Sequence, residues 1–382
     1  MFELSKSQKQ IVKAARDFAK GEFDKDLAYE LEKSRTFPIQ VWEKAADLGF
    51  IGIHYPEDHG GGGLGLLENV LITEELCHQD SALGYAISHA GFASECLALF
   101  ASDEIKSRVL PQIAEGKALS GAAFSETQLG AIPLALQTSA VEQNGKWVIN
   151  GEKTYVINGG AANYYILLCQ TDLSVEPADK GRSLILVEAD SPGIKVVDCG
   201  KNLGGNMVNT ADLIFENVRV PASNLIGKIG KGTDYIQRYF DDSRIMDAAQ
   251  AVGIAAGALD RTLEYTKGRV QFNRRIIDFQ VTRHKIAEMA TQIELSRIIT
   301  YKAAWIRDNG KTDSKLCSMA KMTAAQTAVN ACNHAIQMFG GYGYMTEYEV
   351  ERFYRDARMI ENSSGNNHIQ KDIIAAGIVG KN

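Results

Sequence analysis

The hydrophobic period of this chain changes twice, and nothing else in the sequence limits its fold as much. In the first third, Ile11, Ala15, Phe18, Ala19 and Phe23 recur at helical spacing behind Ser5, and Gln8 three residues on completes a capping box. Further helices are predicted over 38–48, 65–77, 82–100 and 102–115. From about residue 119 the period shortens to that of strands. Trp147-Val148-Ile149, Tyr165-Ile166-Leu167-Leu168, Leu184-Ile185-Leu186-Val187 and Leu213-Ile214-Phe215 read as strands, with Asn144-Gly145 and Asn150-Gly151 as hairpin signals. Beyond Pro221 and the loop 227–232 the helical period returns over 233–267, 278–309, 314–339 and 350–359. Helices of that length, joined by turns such as Asp308-Asn309-Gly310, predict a bundle. The expected class is α+β in three parts: an N-terminal helical domain (1–118), a β domain (119–232) and a C-terminal four-helix bundle (233–382).

Composition removes several function classes. With 382 residues, 45% of them hydrophobic, the chain can build a substantial core. Its net charge of -6, with Lys and Arg spread among acidic residues, offers no basic stripe to a phosphate backbone, so no nucleic-acid partner is expected. No apolar run approaches the roughly 20 residues that span a bilayer, and the N-terminus lacks the regions of a signal peptide. No membrane association is expected; the chain reads as cytoplasmic, although a matrix protein with its leader removed would read the same. The six cysteines show no CxxC spacing and the seven histidines no HxH or HxxxH, so buried thiols and no metal site are expected. Gly60-Gly61-Gly62-Gly63-Leu64-Gly65 lacks both the preceding strand and the Lys-Ser/Thr of a phosphate loop, and reads as a turn between helices.

Several separate segments carry a family resemblance. They are Phe124-Ser125-Glu126-Thr127, Ile149-Asn150-Gly151-Glu152-Lys153, Asn158-Gly159-Gly160, Phe215-Glu216-Asn217-Val218-Arg219-Val220-Pro221, Arg269-Val270-Gln271-Phe272, Gln337-Met338-Phe339-Gly340-Gly341-Tyr342-Gly343-Tyr344, Arg355-Asp356-Ala357-Arg358 and Ser363-Ser364-Gly365-Asn366-Asn367-His368-Ile369-Gln370. In that order along the whole chain, they resemble the acyl-CoA dehydrogenase family. The resemblance implies a helical domain, a β domain and a helical bundle assembled as a homotetramer. It also implies FAD as cofactor, an acyl-CoA substrate and an electron-transfer flavoprotein as partner.

The resemblance also places the flavin contacts. Phe124, Ser125, Tyr155 and Ile157 match residues flanking the isoalloxazine, with Ile157 lacking the hydroxyl the family usually offers there. Tyr155 and Ile157 could equally fill a sheet core. Arg269, Gln271 and Phe272 from one subunit, and Gln337, Gly340 and Gly341 from a neighbour, match the contacts to the dinucleotide half, where a pyrophosphate needs positive charge and close backbone approach. Gly340-Gly341 would also serve as a plain helix C-cap. Asn366 and His368 stand where the family has other hydrogen-bonding residues near FAD.

For the substrate, Asp241 and Arg244 match a pair near the thioester, although an i, i+3 pair is also an ordinary helix-surface salt bridge. Tyr85, Ser88 and His89 fall at the acyl pocket, where a polar set would suit a functionalised or cyclic acyl group; core packing is the other reading of Tyr85. Gln128-Leu129-Gly130-Ala131-Ile132 departs from the polar loop that helps hold CoA in relatives, which also admits a pantetheine carrier other than CoA. The main departure concerns the catalytic base. Its usual position holds Ser364 and its alternative position Ser243, and a neutral hydroxyl cannot do the work of a carboxylate. Asp247, four residues after Ser243 in an apolar setting that raises its pKa, Asp242 beside it and Glu361 are the candidates for a relocated base. The expected activity is α,β-dehydrogenation of an acyl-CoA thioester, or a variant of it, with electrons passed to an electron-transfer flavoprotein. The alternatives are non-redox elimination or desulfination of a functionalised acyl-CoA, and a non-catalytic FAD-binding subunit.

Overall fold

The computed structural model describes residues 3–127 and 136–380; the 128–132 departure lies outside them. Helices α1 (Lys6–Glu22), α2 (Lys25–Ser34), α3 (Ile39–Asp47), α4 (Leu66–Gln79), α5 (Ser81–Ser88), α6 (Glu95–Phe100) and α7 (Asp103–Ala114) form the first layer. Ser5 and Gln8 make the capping box ahead of α1, with bonds of 2.9 and 3.2 Å. The glycine run is a structural loop: a Cβ at Gly61 would fall 2.3 Å from the Tyr55 carbonyl oxygen, so only glycine lets the two strands of chain cross. The predicted helix 82–100 is in fact two, because the chain turns through positive φ at Ala93 (68°) before α6 begins. Helix α5 is almost wholly buried and α6 carries apolar residues on both its buried and its open sides, so the apolar pattern gave no sign of the break.

The middle layer is an eight-stranded sheet made of β1 (Ser120–Ala123), β2 (Ser139–Gln143), β3 (Lys146–Ile157), β4 (Tyr164–Gln170), β5 (Arg182–Glu188), β6 (Ile194–Asp198), β7 (Thr210–Pro221) and β8 (Leu225–Ile226). Strand order is β6-β7-β3-β2-β4-β5-β8, with β1 pairing β4 in parallel. Asn144-Gly145, at φ of 53° and 73°, makes the β2–β3 hairpin as expected. Asn150-Gly151 does not turn the chain; it lies inside β3 at a register shift against β7, where Gly151 at φ 146° forms a bulge. A dipeptide tolerant of unusual backbone angles serves a bulge as readily as a turn.

The third layer holds α8 (Gly232–Gly268), α9 (Gln280–Asp308), α10 (Ser314–Phe339), α11 (Val350–Ile360) and α12 (Asn367–Val379), with a short β9–β10 hairpin (Val270–Gln271, Arg274–Arg275) after α8. Neither α2 nor α12 was foreseen. Helix α8 is the axis of the molecule, packed by α4, α9, α10 and α11. Its alanines, and those of α10, allow close approach, and Gly253 and Gly257 pass so near the α4 backbone that an added Cβ would lie 2.4 and 2.3 Å from the carbonyls of Glu74 and His78. A helix surrounded in this way buries its polar residues too: Asp241, Asp242, Ser243, Arg244, Asp247 and Gln250 are all inside. Among the described residues no helix is long and apolar enough to cross a membrane.

Candidate active site

Helical spacing puts Ser243, Asp247 and Gln250 on one face of α8, and this face lines an interior cavity of about 40 Å³. Opposite it stand Ser88 and His89 from the end of α5 and Glu95 from α6. The turn after α11 closes the site. Ser364, at φ 48°, brings its hydroxyl 2.6 Å from that of Ser243. The two positions at which a glutamate is expected are thus neighbours in space, joined by a hydrogen bond between neutral groups.

Asp247 lies beside this pair. Its Oδ1 accepts from Ser363 at 3.1 Å, while its buried Oδ2 has no hydrogen-bond partner. Burial raises its proton affinity, opposed chiefly by the charge of Lys321 and by the Ser364 and Ser363 hydroxyls. Lys321 itself is fully buried, and burial lowers it to about 8. Its ammonium donates to the carbonyls of Glu361 (2.9 Å) and Gly365 (3.0 Å), holding the serine-bearing turn from within.

The other two candidate bases are engaged elsewhere. Asp242 reaches the cavity but accepts from Arg238 (2.9 Å) and Arg307 (2.8 Å), while Glu361 pairs with Arg358 and accepts from Asn367 at 3.5 Å. The Asp241–Arg244 pair is 3.0 Å long and buried, with Ser314 donating to Asp241 at 2.8 Å, so it is not the surface salt bridge that its spacing also allowed. Tyr85 stacks on His89 with ring centroids 4.0 Å apart and is 3% exposed; His89, rather than Tyr85, forms the cavity wall. Burial lowers His89 to about 4, so the ring is neutral; its Nδ1 lies 3.0 Å from the Tyr85 carbonyl and 3.2 Å from Gln250 Nε2. Sequence reasoning missed Gln250, Lys321, Glu95 and Ser363. Gln250 alone carried a signal, seven residues after Ser243 on the same face.

A second region opens on the surface. Phe124 packs edge-on against Tyr239 and Phe240, and Ser125 is exposed beside it, its carbonyl accepting from the Thr154 amide at 2.9 Å. Tyr155 does not fill the sheet core: at φ 51° its ring is 69% exposed, while Asp212 holds its amide at 2.9 Å. Ile157 is half-buried against the N-terminal core. Further along, Arg269, Gln271, Phe272, Gln337, Gly340 and Gly341 line one groove of about 1060 Å³. They were expected from two subunits; a single chain brings all six together, because α10 returns beside the β9–β10 hairpin. Gly340 does cap α10, at φ 62°, yet neither it nor Gly341 has any atom within 4 Å of a built Cβ, so the pair borders open space. Asn366 is committed to capping α12 through the His368 and Ile369 amides, and His368 is exposed in its first turn.

The sequence matches three families end to end: acyl-CoA dehydrogenase N-terminal domain over 5–117, middle domain over 121–218 and C-terminal domain over 230–379. The chain belongs to the acyl-CoA dehydrogenase family. It is 37% identical to an acyl-CoA dehydrogenase of Bacillus subtilis, with 99% of each chain covered. It is 34% identical to the caffeyl-CoA reductase-Etf complex subunit CarC of Acetobacterium woodii, covering 99% of this chain and 100% of that one. Its fold matches butyryl-CoA dehydrogenase from Megasphaera elsdenii with a TM-score of 0.94 at 31% identity, over 99% of this chain and 100% of the other. Like the rest of the acyl-CoA dehydrogenase family, it is a flavoprotein oxidoreductase acting on CH–CH groups, with FAD as cofactor. The residues fit that group: exposed aromatic faces at Tyr155 and Phe272, a guanidinium at Arg269 and open space over Gly340-Gly341 suit a long, flat, anionic ligand.

Proposed function

We propose that this chain interconverts an acyl thioester and its α,β-unsaturated form, exchanging electrons with an electron-transfer flavoprotein, and that Asp247 handles the α-proton. Bound FAD supplies the hydride chemistry at the β-carbon. Arg269, Gln271 and Phe272 with Gln337, Gly340 and Gly341 would hold its dinucleotide half, and Ser125, Tyr155 and Ile157 would border the ring. The observation that carries the reading is Asp247 itself, a buried carboxyl with an unpartnered oxygen on the wall of the cavity next to Ser243 and Ser364. In oxidation the α-proton passes to Asp247; in reduction it returns. A carboxyl whose proton affinity is raised by burial can do both. The Ser243–Ser364 pair fixes the position next to it without charge, and Asp241 with Arg244 orients the thioester end. The named relationship of CarC to an electron-transfer flavoprotein supports the partner, and family habit supports a tetramer.

The test is anaerobic. Holoenzyme is mixed with a panel of saturated acyl-CoAs and flavin bleaching is followed with product mass; Asp247→Asn should bleach roughly 10²- to 10⁴-fold more slowly with unchanged FAD content. Equal rates in variant and parent would remove Asp247 from the mechanism. Consumption of a thioester without flavin reduction would replace dehydrogenation by elimination.

A further inference from the structure

We infer that the proton taken by Asp247 leaves the protein along a chain of side chains, Ser364, Ser243, Tyr239, Glu95 and His54, which ends in a surface pocket beside the start of α4. The two serines that stand where a glutamate is expected are links in this chain. The inference rests on Asp247 being the group that accepts the α-proton.

Asp247 is 2% exposed, so with substrate and flavin in place a proton it accepts has no direct route to solvent. Its neighbours offer one. The Ser364 hydroxyl acts on the Asp247 carboxyl and lies 2.6 Å from the Ser243 hydroxyl. One helical turn before Ser243 comes Tyr239, also buried, whose hydroxyl interacts with that of Ser243. Tyr239 and Glu95 line the same cavity. Burial, and after it the charge of Glu95, raises the proton affinity of the Tyr239 phenolate, which marks the two as neighbours. The cavity between them is about 40 Å³, little more than the ~30 Å³ share of one water, so a single water spans it. Glu95 Oε1 in turn lies 3.3 Å from His54 Nε2.

Glu95 is the turning point. It lines the cavity with Asp247 and, together with His54, a second pocket of about 590 Å³ whose walls include the exposed side chains of Leu64, Leu99 and Trp305. Asp242 borders both spaces as well, but Arg238 and Arg307 hold its carboxylate. Neither ring nitrogen of His54 makes a hydrogen bond in the resting structure, which leaves the imidazole free to accept on one nitrogen and release from the other. In one passage Asp247 gives its proton to Ser364, Ser364 to Ser243 and Ser243 to Tyr239. Tyr239 delivers one to the Glu95 carboxylate, and Glu95 passes it to His54 Nε2 while Nδ1 releases one to the pocket. No bond between heavy atoms changes. A hydroxyl donates and accepts at once, so the serines pass a proton without ever holding a charge.

Exchange in D₂O reads the relay apart from the chemistry. Anaerobic holoenzyme, with no electron acceptor, is mixed in turn with butyryl-, isobutyryl-, cyclohexanecarbonyl- and glutaryl-CoA. Flavin bleaching is followed, and deuterium at the α-carbon of the recovered saturated thioester is measured by NMR. Each reversal returns the original proton unless the relay has exchanged it for a deuteron. Tyr239→Phe keeps the ring and removes only the hydroxyl. It should bleach at the parental rate with parental FAD content, while α-deuterium per bleaching event falls by about 10²-fold, the low end of what a positioned proton carrier contributes. Glu95→Gln should lower the same ratio. Undiminished deuterium in either folded variant overturns the relay and leaves Asp247 as the base. Bleaching that falls in step with deuterium in both variants makes the two side chains structural and also overturns it. No bleaching of the parent by any of the four thioesters removes the redox reading and the relay together.

Discussion

The groove beside α10 and the cavity along α8 are built on opposite principles. The groove is wide, and its side chains stand in solvent: Phe272 is 87% exposed. Its backbone takes positive φ at Phe272, Asn273 and Gly340, presenting surfaces rather than filling them. The cavity has almost no free volume, and its functional groups are buried acceptors and hydroxyls already fixed by bonds to one another. A surface of the first kind loses little when it is empty and takes its order from a large ligand. A pocket of the second kind is paired before anything arrives, and the unpartnered oxygen on Asp247 marks where a ligand must supply something.

Substitutions can break or sharpen that contrast. The largest effect is expected for Asp247→Asn, whose 10²- to 10⁴-fold slower bleaching, set against unchanged FAD content, would show that the two regions fail separately. Next is Lys321→Met, which takes the donor from the Glu361 carbonyl and the positive charge from beside buried Asp247, while the Gly365 carbonyl keeps the Gln370 amide at 2.7 Å; a loss of about 3–5 kcal/mol is expected in urea unfolding. His89 gives a pH signature. Its folded pKa of about 4 lies below the ordinary 6.5, so the unfolded chain takes up the proton first as pH falls. The stability is complete above pH 6.5 and is lost on the way down to 4, by about 3 kcal/mol at ~1.4 kcal/mol per unit. Thermal melts of His89→Gln across that window should be flatter than those of the parent. The smallest effect belongs to the groove: Gly340→Ala, forced to φ 62°, should cost about 1–2 kcal/mol, with some loss of FAD affinity read by ultrafiltration.

The same contrast explains what could be read from sequence. The long helices of the bundle were legible to within a residue or two because their ends carry ordinary stop signals, such as Asn309-Gly310 and Gly340. The groove residues were legible because they lie in short contiguous motifs. The cavity was not. It is assembled from α5, α6, α8 and the turn after α11, and its polar members are spaced through a helix buried on all sides, where no amphipathic period separates a functional side from a structural one. Lys321, one of two lysines in an alanine-rich helix, carries no sequence mark of a buried cation. Asp247 was picked out by spacing, whereas its unpartnered oxygen is a property of the packing.

The ammonium of Lys321 has a mechanical consequence. Because it grips the 361–365 turn from the side of α10, the place where a proton changes hands inherits its position from the register of that helix. A slip of α10 by one residue would carry the grip about 100° around its axis and unseat both serines, although no atom of α10 need ever touch the substrate.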